Sequence, residues 1–270
     1  MRAPSVAMLC LSVAVATAVG QTPHLRSVRQ AADNGNVRAE FELARAYESG
    51  DGVPQNTAEA AKWYRVAANR GLPQAQNNLG KLLLMGDGVK KNDAEALRWF
   101  RRAAGERFAD AESNLGWMYE FGRAVQQDDR EAERWFRIAM VHHSVAAEVN
   151  LANLYLNGRG GLHDDGDAVR LLKHAAKAGL PVAQSCLGWL YATGRGVKPS
   201  FAEAARLWTL AANQGMPRAQ FNLGVLMYRG VGVKKDEEAG RAWLERAVSM
   251  GIRPPAGLDT NTDIAQVLQT

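Results

Sequence analysis

A pattern that recurs every 36 residues constrains this chain more than any other feature of its sequence. An alanine series runs through six consecutive copies, at Ala39, Ala75, Ala111, Ala147, Ala183 and Ala219. A leucine follows four positions later in every copy, at Leu43, Leu79, Leu115, Leu151, Leu187 and Leu223, and the next residue is always alanine or glycine. A period of this length is typical of stacked structural units, so the sequence predicts a solenoid rather than one or two globular domains.

Each copy is predicted to form two helices joined by a short turn. In the first copy, Ala39, Leu43 and Tyr47 share one side of a helix near residues 37–49. This helix is expected to end at Gly50, since glycine readily takes the left-handed conformation that follows many helices. One such pair cannot bury its apolar side alone, so neighbouring pairs must stack.

The second helix of each copy begins with a residue whose side chain can accept a hydrogen bond from a free backbone N–H. These capping residues are Asn56, Asn92, Asp128, Asp164, Ser200 and Asp236. We expect the large tryptophans of this helix to fill the space between one pair and the next, at Trp63, Trp99, Trp135 and Trp243. Glycine usually follows the helix, but Arg107 and His143 replace it in two copies, so those turns should be less ideal.

The beginning of the chain has the features of a secretory signal. Arg2 precedes an apolar stretch from Val6 to Val19, which ends in small residues. An uncleaved membrane anchor is the alternative, but the stretch is shorter than the roughly 20 residues that a membrane span needs. We therefore expect an exported protein, periplasmic or secreted, without a transmembrane segment in the mature chain.

Four segments follow from these patterns. We predict a signal peptide, an N-terminal capping helix, six repeats and a C-terminal capping segment, at residues 1–20, 21–36, 37–253 and 254–270. Cys10 belongs to the signal, so Cys186 is the one cysteine of the mature chain and no internal disulfide can form. We expect Cys186 to be a small buried or half-buried residue rather than a nucleophile.

The charge of the chain does not indicate a nucleic-acid partner. The net charge is +5, but basic and acidic residues are mixed and no basic run with interleaved aromatic residues occurs. We expect a monomer.

The repeat resembles a known family. The pattern A-x3-L-G-x2-Y-x2-G-x-G-V, followed by A-x2-W-Y/F-x2-A-A-x2-G, is similar to the Sel-1-like repeat, a relative of the tetratricopeptide repeat. The best copies are Ala39 to Gly71, Ala75 to Ala104 and Ala183 to Gly215. The resemblance implies an all-α fold, a right-handed α/α superhelical solenoid of six helix-pair repeats with terminal capping helices. It also implies a scaffold or adaptor that binds proteins in the periplasm, in the cell envelope or after secretion.

The alternative function is a β-lactamase-like or cell-wall-directed hydrolase, which rests on family analogy only. Cysteine-rich members of the family have been linked to β-lactam hydrolysis or penicillin binding. This chain lacks their cysteine pairs, and its fourth copy has Leu171 and Leu172 where the aromatic pair usually stands. We therefore predict that the protein is not an enzyme.

By resemblance to tetratricopeptide arrays, the first helices line a concave groove for a protein or peptide. Its outward positions lie three and six residues after the first alanine of each copy, on one side of the helix. We predict partner contacts at Asn78, Lys81, Asn114, Trp117, Asn150, Asn153, Trp189 and Asn222.

The residue types at these positions suit a bound polypeptide. Asparagine offers donors and an acceptor to a peptide backbone. Trp117 and Trp189 lie about 200° around the helix from the core leucines, so they should stand clear of the core and serve as binding anchors. The alternative for the asparagine series is structural, namely that it caps turns or contacts the neighbouring repeat.

No catalytic, metal-binding or cofactor-binding motif accompanies the repeat. His142 and His143 end a helix without a suitably spaced carboxylate or cysteine, so no metal site is predicted. Pairs such as Gly50 and Gly52 lack the preceding strand of a phosphate-binding loop. No cofactor is predicted.

Overall fold

The computed structural model describes residues 22–253, where the chain forms thirteen α-helices and one short 3₁₀ helix. The helices are α1 (Pro23–Asp33), α2 (Val37–Ser49), α3 (Thr57–Asn69), α4 (Pro73–Met85), α5 (Asp93–Gly105), α6 (Ala109–Glu120), α7 (Asp129–Val141), α8 (Val145–Asn157), α9 (Asp165–Lys177), α10 (Pro181–Thr193), α11 (Phe201–Asn213), α12 (Pro217–Arg229) and α13 (Glu237–Ser249), and the 3₁₀ helix is Arg159–Gly161. The signal peptide predicted at 1–20 and the capping segment predicted at 254–270 lie outside the described residues.

The chain divides between Gln127 and Asp128 into two compact units. Unit 1 contains helices α1 to α6, and unit 2 contains α7 to α13. Within each unit, every helix packs against the helix that follows it in the chain. The described residues therefore confirm the predicted all-α, helix-pair solenoid architecture. No helix among residues 22–253 is long and apolar enough to span a membrane.

The predicted capping residues begin the second helices in the structure. Each of the six accepts a hydrogen bond from the backbone N–H three residues further on, as Asn56 does from Glu59 at 3.1 Å. This bond satisfies one of the free N–H groups at a helix start. Arg107 and His143 hold left-handed φ angles of 57° and 68°, which confirms that these two turns are less ideal than the glycine turns.

In unit 1, the core follows the leucine series. Leu43, Leu79 and Leu115 are fully buried. The first helix α1 buries Leu25 and Val28 against the same cluster as Leu43.

In unit 2, the core is centred on Trp208, which is fully buried and donates a hydrogen bond from its indole Nε1 to the Ser185 carbonyl at 3.0 Å. Its ring lies against Gly188, where an added Cβ would come within 2.6 Å of the indole nitrogen. The absence of a side chain at this position is therefore what allows helices α10 and α11 to approach each other.

The prediction for the tryptophan series is only partly correct. Trp99 is buried, but Trp63, Trp135 and Trp243 remain half-buried. The residue one position later is fully buried, at Tyr64, Phe100, Phe136 and Trp208, and of these Phe100 and Trp208 lie against Gly80 and Gly188. One residue corresponds to about 100° around a helix, so the two members of a pair face different sides of their helix, and the second member takes the more buried side.

Candidate binding surface

The first helices of unit 1 present a surface on which repeat-equivalent residues recur. Arg45 on α2, Lys81 on α4 and Trp117 on α6 occupy the same position in successive copies. Met85 and Phe121 lie four residues after Lys81 and Trp117 and therefore share their side of the helix. We call these five residues the unit 1 face.

Aromatic stacking and a cation fix the position of Trp117. Its half-buried ring stacks on Phe121 with 4.9 Å between the ring centroids and 39° between the planes. The Cζ atom of Arg123 lies 6.0 Å from the centroid of the Trp117 ring. Arg123 is itself held by Asp93, with 2.8 Å between Nε and Oδ2. Because these two contacts restrict its rotamers, this tryptophan is suited to act as a preordered anchor.

The unit 1 face is apolar and positively charged. Met85 is 70% exposed and Phe121 is 50% exposed, although large apolar side chains usually lie inside a protein. Arg45 and Lys81 are exposed, and neither has an ion pair with another described residue. Glu42, on the same helix as Arg45, contacts His24 instead, with 2.9 Å between Oε1 and Nε2.

The asparagines of unit 1 have structural contacts. Asn114 donates a hydrogen bond from Nδ2 to Oδ1 of Asn77 at 2.8 Å, which joins α6 to α4. Asn78 bonds the hydroxyl of the fully buried Tyr64, which donates to Glu48. Burial and the adjacent Glu48 carboxylate raise the pKa of Tyr64. For Asn78 and Asn114 these contacts favour the structural alternative, in which the series joins neighbouring repeats.

In unit 2, the predicted contact residues are less accessible than expected. Asn150 and Asn153 are half-buried. Trp189 is also half-buried and packs against the core cluster around Trp208 and Leu223, so the expectation that it stands clear of the core is wrong. Asn222 is only 2% exposed, so the expectation that it points outward is wrong as well.

The reason for the burial of Asn222 lies in its apolar neighbours. Phe221 and Val225 are almost completely buried and pack in one cluster with Ala247, Leu244 and Ile252. Of the equivalent positions in unit 1, Asn77 is also buried, whereas Lys81 is exposed. The apolar Val225 in place of a lysine was the sequence signal for this difference.

A set of ion pairs between neighbouring copies was not predicted. Each pair joins the first residue of a second helix to an arginine 30 residues later, at Asp93–Arg123, Asp129–Arg159 and Asp165–Arg195, with distances of 2.8 to 2.9 Å. The hydrogen bond from Arg123 holds the pKa of Asp93 below its usual value, and Arg195 does the same for Asp165. Both series recur every 36 residues, so a self-comparison of the charged positions could have found them.

The remaining polar groups do not form a site for metal chemistry. Among residues 22–253, no three or more His, Cys, Asp or Glu side chains are grouped so that they could hold a metal ion. Cys186 is half-buried, as expected, and burial raises the pKa of its thiol, which keeps it in the less reactive protonated form.

Comparison with family models assigns the repeats. The model described as Sel1 repeat matches six consecutive segments, at residues 37–72, 73–106, 109–139, 145–180, 181–216 and 217–252. The comparison with curated proteins gives no significant match.

Solved structures give the same result. A Sel1 repeat protein from Oxalobacter formigenes is 31% identical, with a TM-score of 0.73, over 84% of this chain and 99% of that one. A protective antigen of uropathogenic Escherichia coli, which displays an SLR fold, is 33% identical, with a TM-score of 0.64, over 83% of this chain. The match covers 48% of the antigen, so this chain corresponds to about half of its length. An immunity protein from Pseudomonas aeruginosa shares the fold at 19% identity, with a TM-score of 0.58, over 79% of this chain and 81% of that one.

Proposed function

Since the chain belongs to the Sel1 repeat family, whose members generally serve as protein-interaction scaffolds, we propose that it is an exported adaptor that binds a polypeptide on the unit 1 face. The observation that carries this proposal is the exposure of Met85 and of Phe121, which packs against Trp117. An apolar group of this kind costs free energy in water and is typical of a surface that a partner covers.

The charges of the unit 1 face define the chemistry of the partner. Arg45 and Lys81 lie in line with Trp117 on successive first helices, and neither cation is paired with a described carboxylate. A complementary segment carries acidic side chains next to an aromatic or aliphatic side chain. The acidic groups steer association, and the apolar group in contact with Trp117 provides most of the affinity.

Export is a separate part of the proposal and rests on the signal sequence at residues 1–20. The similarity to a protective antigen of uropathogenic E. coli supports it, because an antigen of that kind is met by the immune system. Fractionation of cells that produce the tagged chain, with mass spectrometry of its N-terminus, tests this part. We expect a chain that begins near residue 19 or 21 outside the cytoplasm, and an intact Met1 in the cytoplasm would contradict it.

A selection from a random peptide library tests the binding proposal. We expect the mature protein to enrich peptides that combine Asp or Glu with an aromatic or aliphatic residue. Trp117→Ala should weaken the binding of the selected peptides about tenfold or more, as expected for a hot-spot tryptophan. Lys81→Glu should also weaken peptide binding, because it reverses a charge. This loss should become larger as the salt concentration falls.

Lys198→Glu is the matched control, since Lys198 is an exposed lysine of a turn in unit 2. It should leave peptide binding unchanged. If the selected peptides bind Trp117→Ala and Lys81→Glu as tightly as the unchanged protein, the unit 1 face is not the binding surface.

A further inference from the structure

A half-enclosed cavity of about 450 Å³ lies in unit 2 between the second helices α9 and α11. Lys173 and Lys177 line it from α9, and Leu187 and Tyr191 line it from α10. Leu207 and Leu210 of α11 complete its apolar side. This cavity is separate from the unit 1 face, and its size lies in the range of small-molecule sites.

The preceding copy of the repeat holds a carboxylate beside the equivalent cation and phenol. There, Oε1 of Glu133 accepts hydrogen bonds from the Tyr155 hydroxyl at 2.7 Å and from Nε of Arg137 at 2.9 Å. Arg137 also donates from Nη2 to the Tyr155 hydroxyl at 2.7 Å. A carboxylate, a cation and a phenol therefore form one closed cluster in that copy.

At the cavity, the same cluster lacks its carboxylate. Residues 36 positions later are Val169 for Glu133, Lys173 for Arg137 and Tyr191 for Tyr155. The Tyr191 hydroxyl and the Lys173 ammonium group have no hydrogen bond or ion pair with any described residue. Glu203 on α11 pairs with Arg206 instead, with 3.0 Å between Oε2 and Nε.

We infer that this cavity binds an organic carboxylate with an apolar body, whose carboxylate contacts Lys173 and Tyr191 as Glu133 contacts Arg137 and Tyr155 one copy earlier. Lys173 pairs with the negative charge, and the Tyr191 hydroxyl donates to one of its oxygens. Lys177 adds a second positive charge at the rim. The apolar body lies against Leu187, Leu207 and Leu210, so the ligand is the size of a medium-chain fatty acid or of the last two residues of a polypeptide.

Isothermal titration of the mature protein with octanoate and with octan-1-ol separates charge recognition from apolar contact. Octanoate should bind at least about tenfold more tightly than the alcohol, because a charge-assisted hydrogen bond is lost with the alcohol. N-acetyl-leucyl-leucine and its C-terminal amide repeat the comparison on a peptide. Tighter binding of the dipeptide assigns the site to polypeptide C-termini, and tighter binding of octanoate assigns it to free fatty acids.

Three substitutions test the assignment of residues. Lys173→Met and Tyr191→Phe should each weaken octanoate binding about tenfold, and Lys198→Met, at an exposed lysine outside the cavity, should not change it. Val169→Glu should abolish binding, because it restores the internal carboxylate. Since Val169 is only 5% exposed, thermal unfolding must show that this variant folds, and the other two variants test the proposal in any case.

Two results would overturn the inference. If neither carboxylate probe binds at millimolar concentration, or if octan-1-ol binds as tightly as octanoate, the cavity does not recognise a carboxylate. If Lys173→Met and Tyr191→Phe both retain the original dissociation constant for octanoate, the carboxylate lies elsewhere.

Discussion

Arg107, Ala124 and His143 hold a left-handed backbone conformation without being glycine, with φ angles of 57°, 58° and 68°. Side chains with a Cβ adopt this conformation at a cost of about 1 to 2 kcal/mol, because the Cβ approaches the following carbonyl oxygen. All three sites were predictable, because the repeat has glycine at each of these positions in other copies. The same reasoning predicted the capping residues, since both features depend only on neighbours along the chain.

We predict that Arg107→Gly raises the free energy of unfolding by about 1 kcal/mol, since it removes the strain at φ 57°. Urea unfolding followed by circular dichroism measures this change. Arg107→Ala is the control, because it shortens the side chain but retains the Cβ and should give no comparable gain. Equal stabilisation by both variants would show that the arginine side chain, and not the backbone conformation, is the unfavourable element.

Between elements, two of the helix pairs depend on one glycine that faces one large ring. Gly80 lies against Phe100, and Gly188 lies against Trp208, in each case with 2.6 Å between an added Cβ and the nearest ring atom. The sequence predicted that a small residue stands at the crossing. It did not predict which aromatic residue meets it, because that choice depends on the angle at which the second helix packs.

Gly188→Ala should lower the free energy of unfolding by about 1 to 3 kcal/mol, as expected for overpacking against the buried Trp208 ring. Thermal or urea unfolding measures the loss. Gly105→Ala in α5 is the matched control, because an added Cβ there meets no atom within 4 Å. The control should be neutral or stabilising, since alanine favours helix over glycine. A loss of the same size in both variants would contradict the packing argument.

The ion pairs between copies make the stability of the protein depend on pH. Arg123 holds the pKa of Asp93 below its usual value, so the stabilisation is complete above the unfolded pKa of about 3.9 and is lost as the pH falls through the folded value. Asp93→Asn should therefore lower the urea midpoint at pH 7, and the difference from the unchanged protein should shrink below about pH 4.

Asp110→Asn is the control for this prediction, because Asp110 also lies in the first turn of a helix but is exposed and has no described ion pair. It should change the midpoint much less. A destabilisation by Asp93→Asn that is equal at pH 7 and pH 2.5 would show that the carboxylate charge is not responsible.

For the whole molecule, the 36-residue period predicted the architecture because, within each unit, every helix packs against the helix that follows it. The binding surface was less predictable, since the period shows on which side of its own helix a residue lies but not what packs there. Lys81 is exposed and Trp117 is half-buried, whereas Asn222 is buried beside Phe221 and Val225. Arg45, Met85 and Phe121 complete the unit 1 face and were not among the predicted contacts.

The proposed use of the unit 1 face can be tested in an envelope extract by site-specific photocrosslinking. A photoreactive phenylalanine analogue at Met85 probes this face, and the same analogue at Val66, which is 38% exposed on the second helix α3, is the matched control. We predict a discrete crosslinked protein from position 85 that is lost when Trp117→Ala is added, and no such product from position 66. A discrete product from position 66 alone, or one from position 85 that persists with Trp117→Ala, would contradict the account.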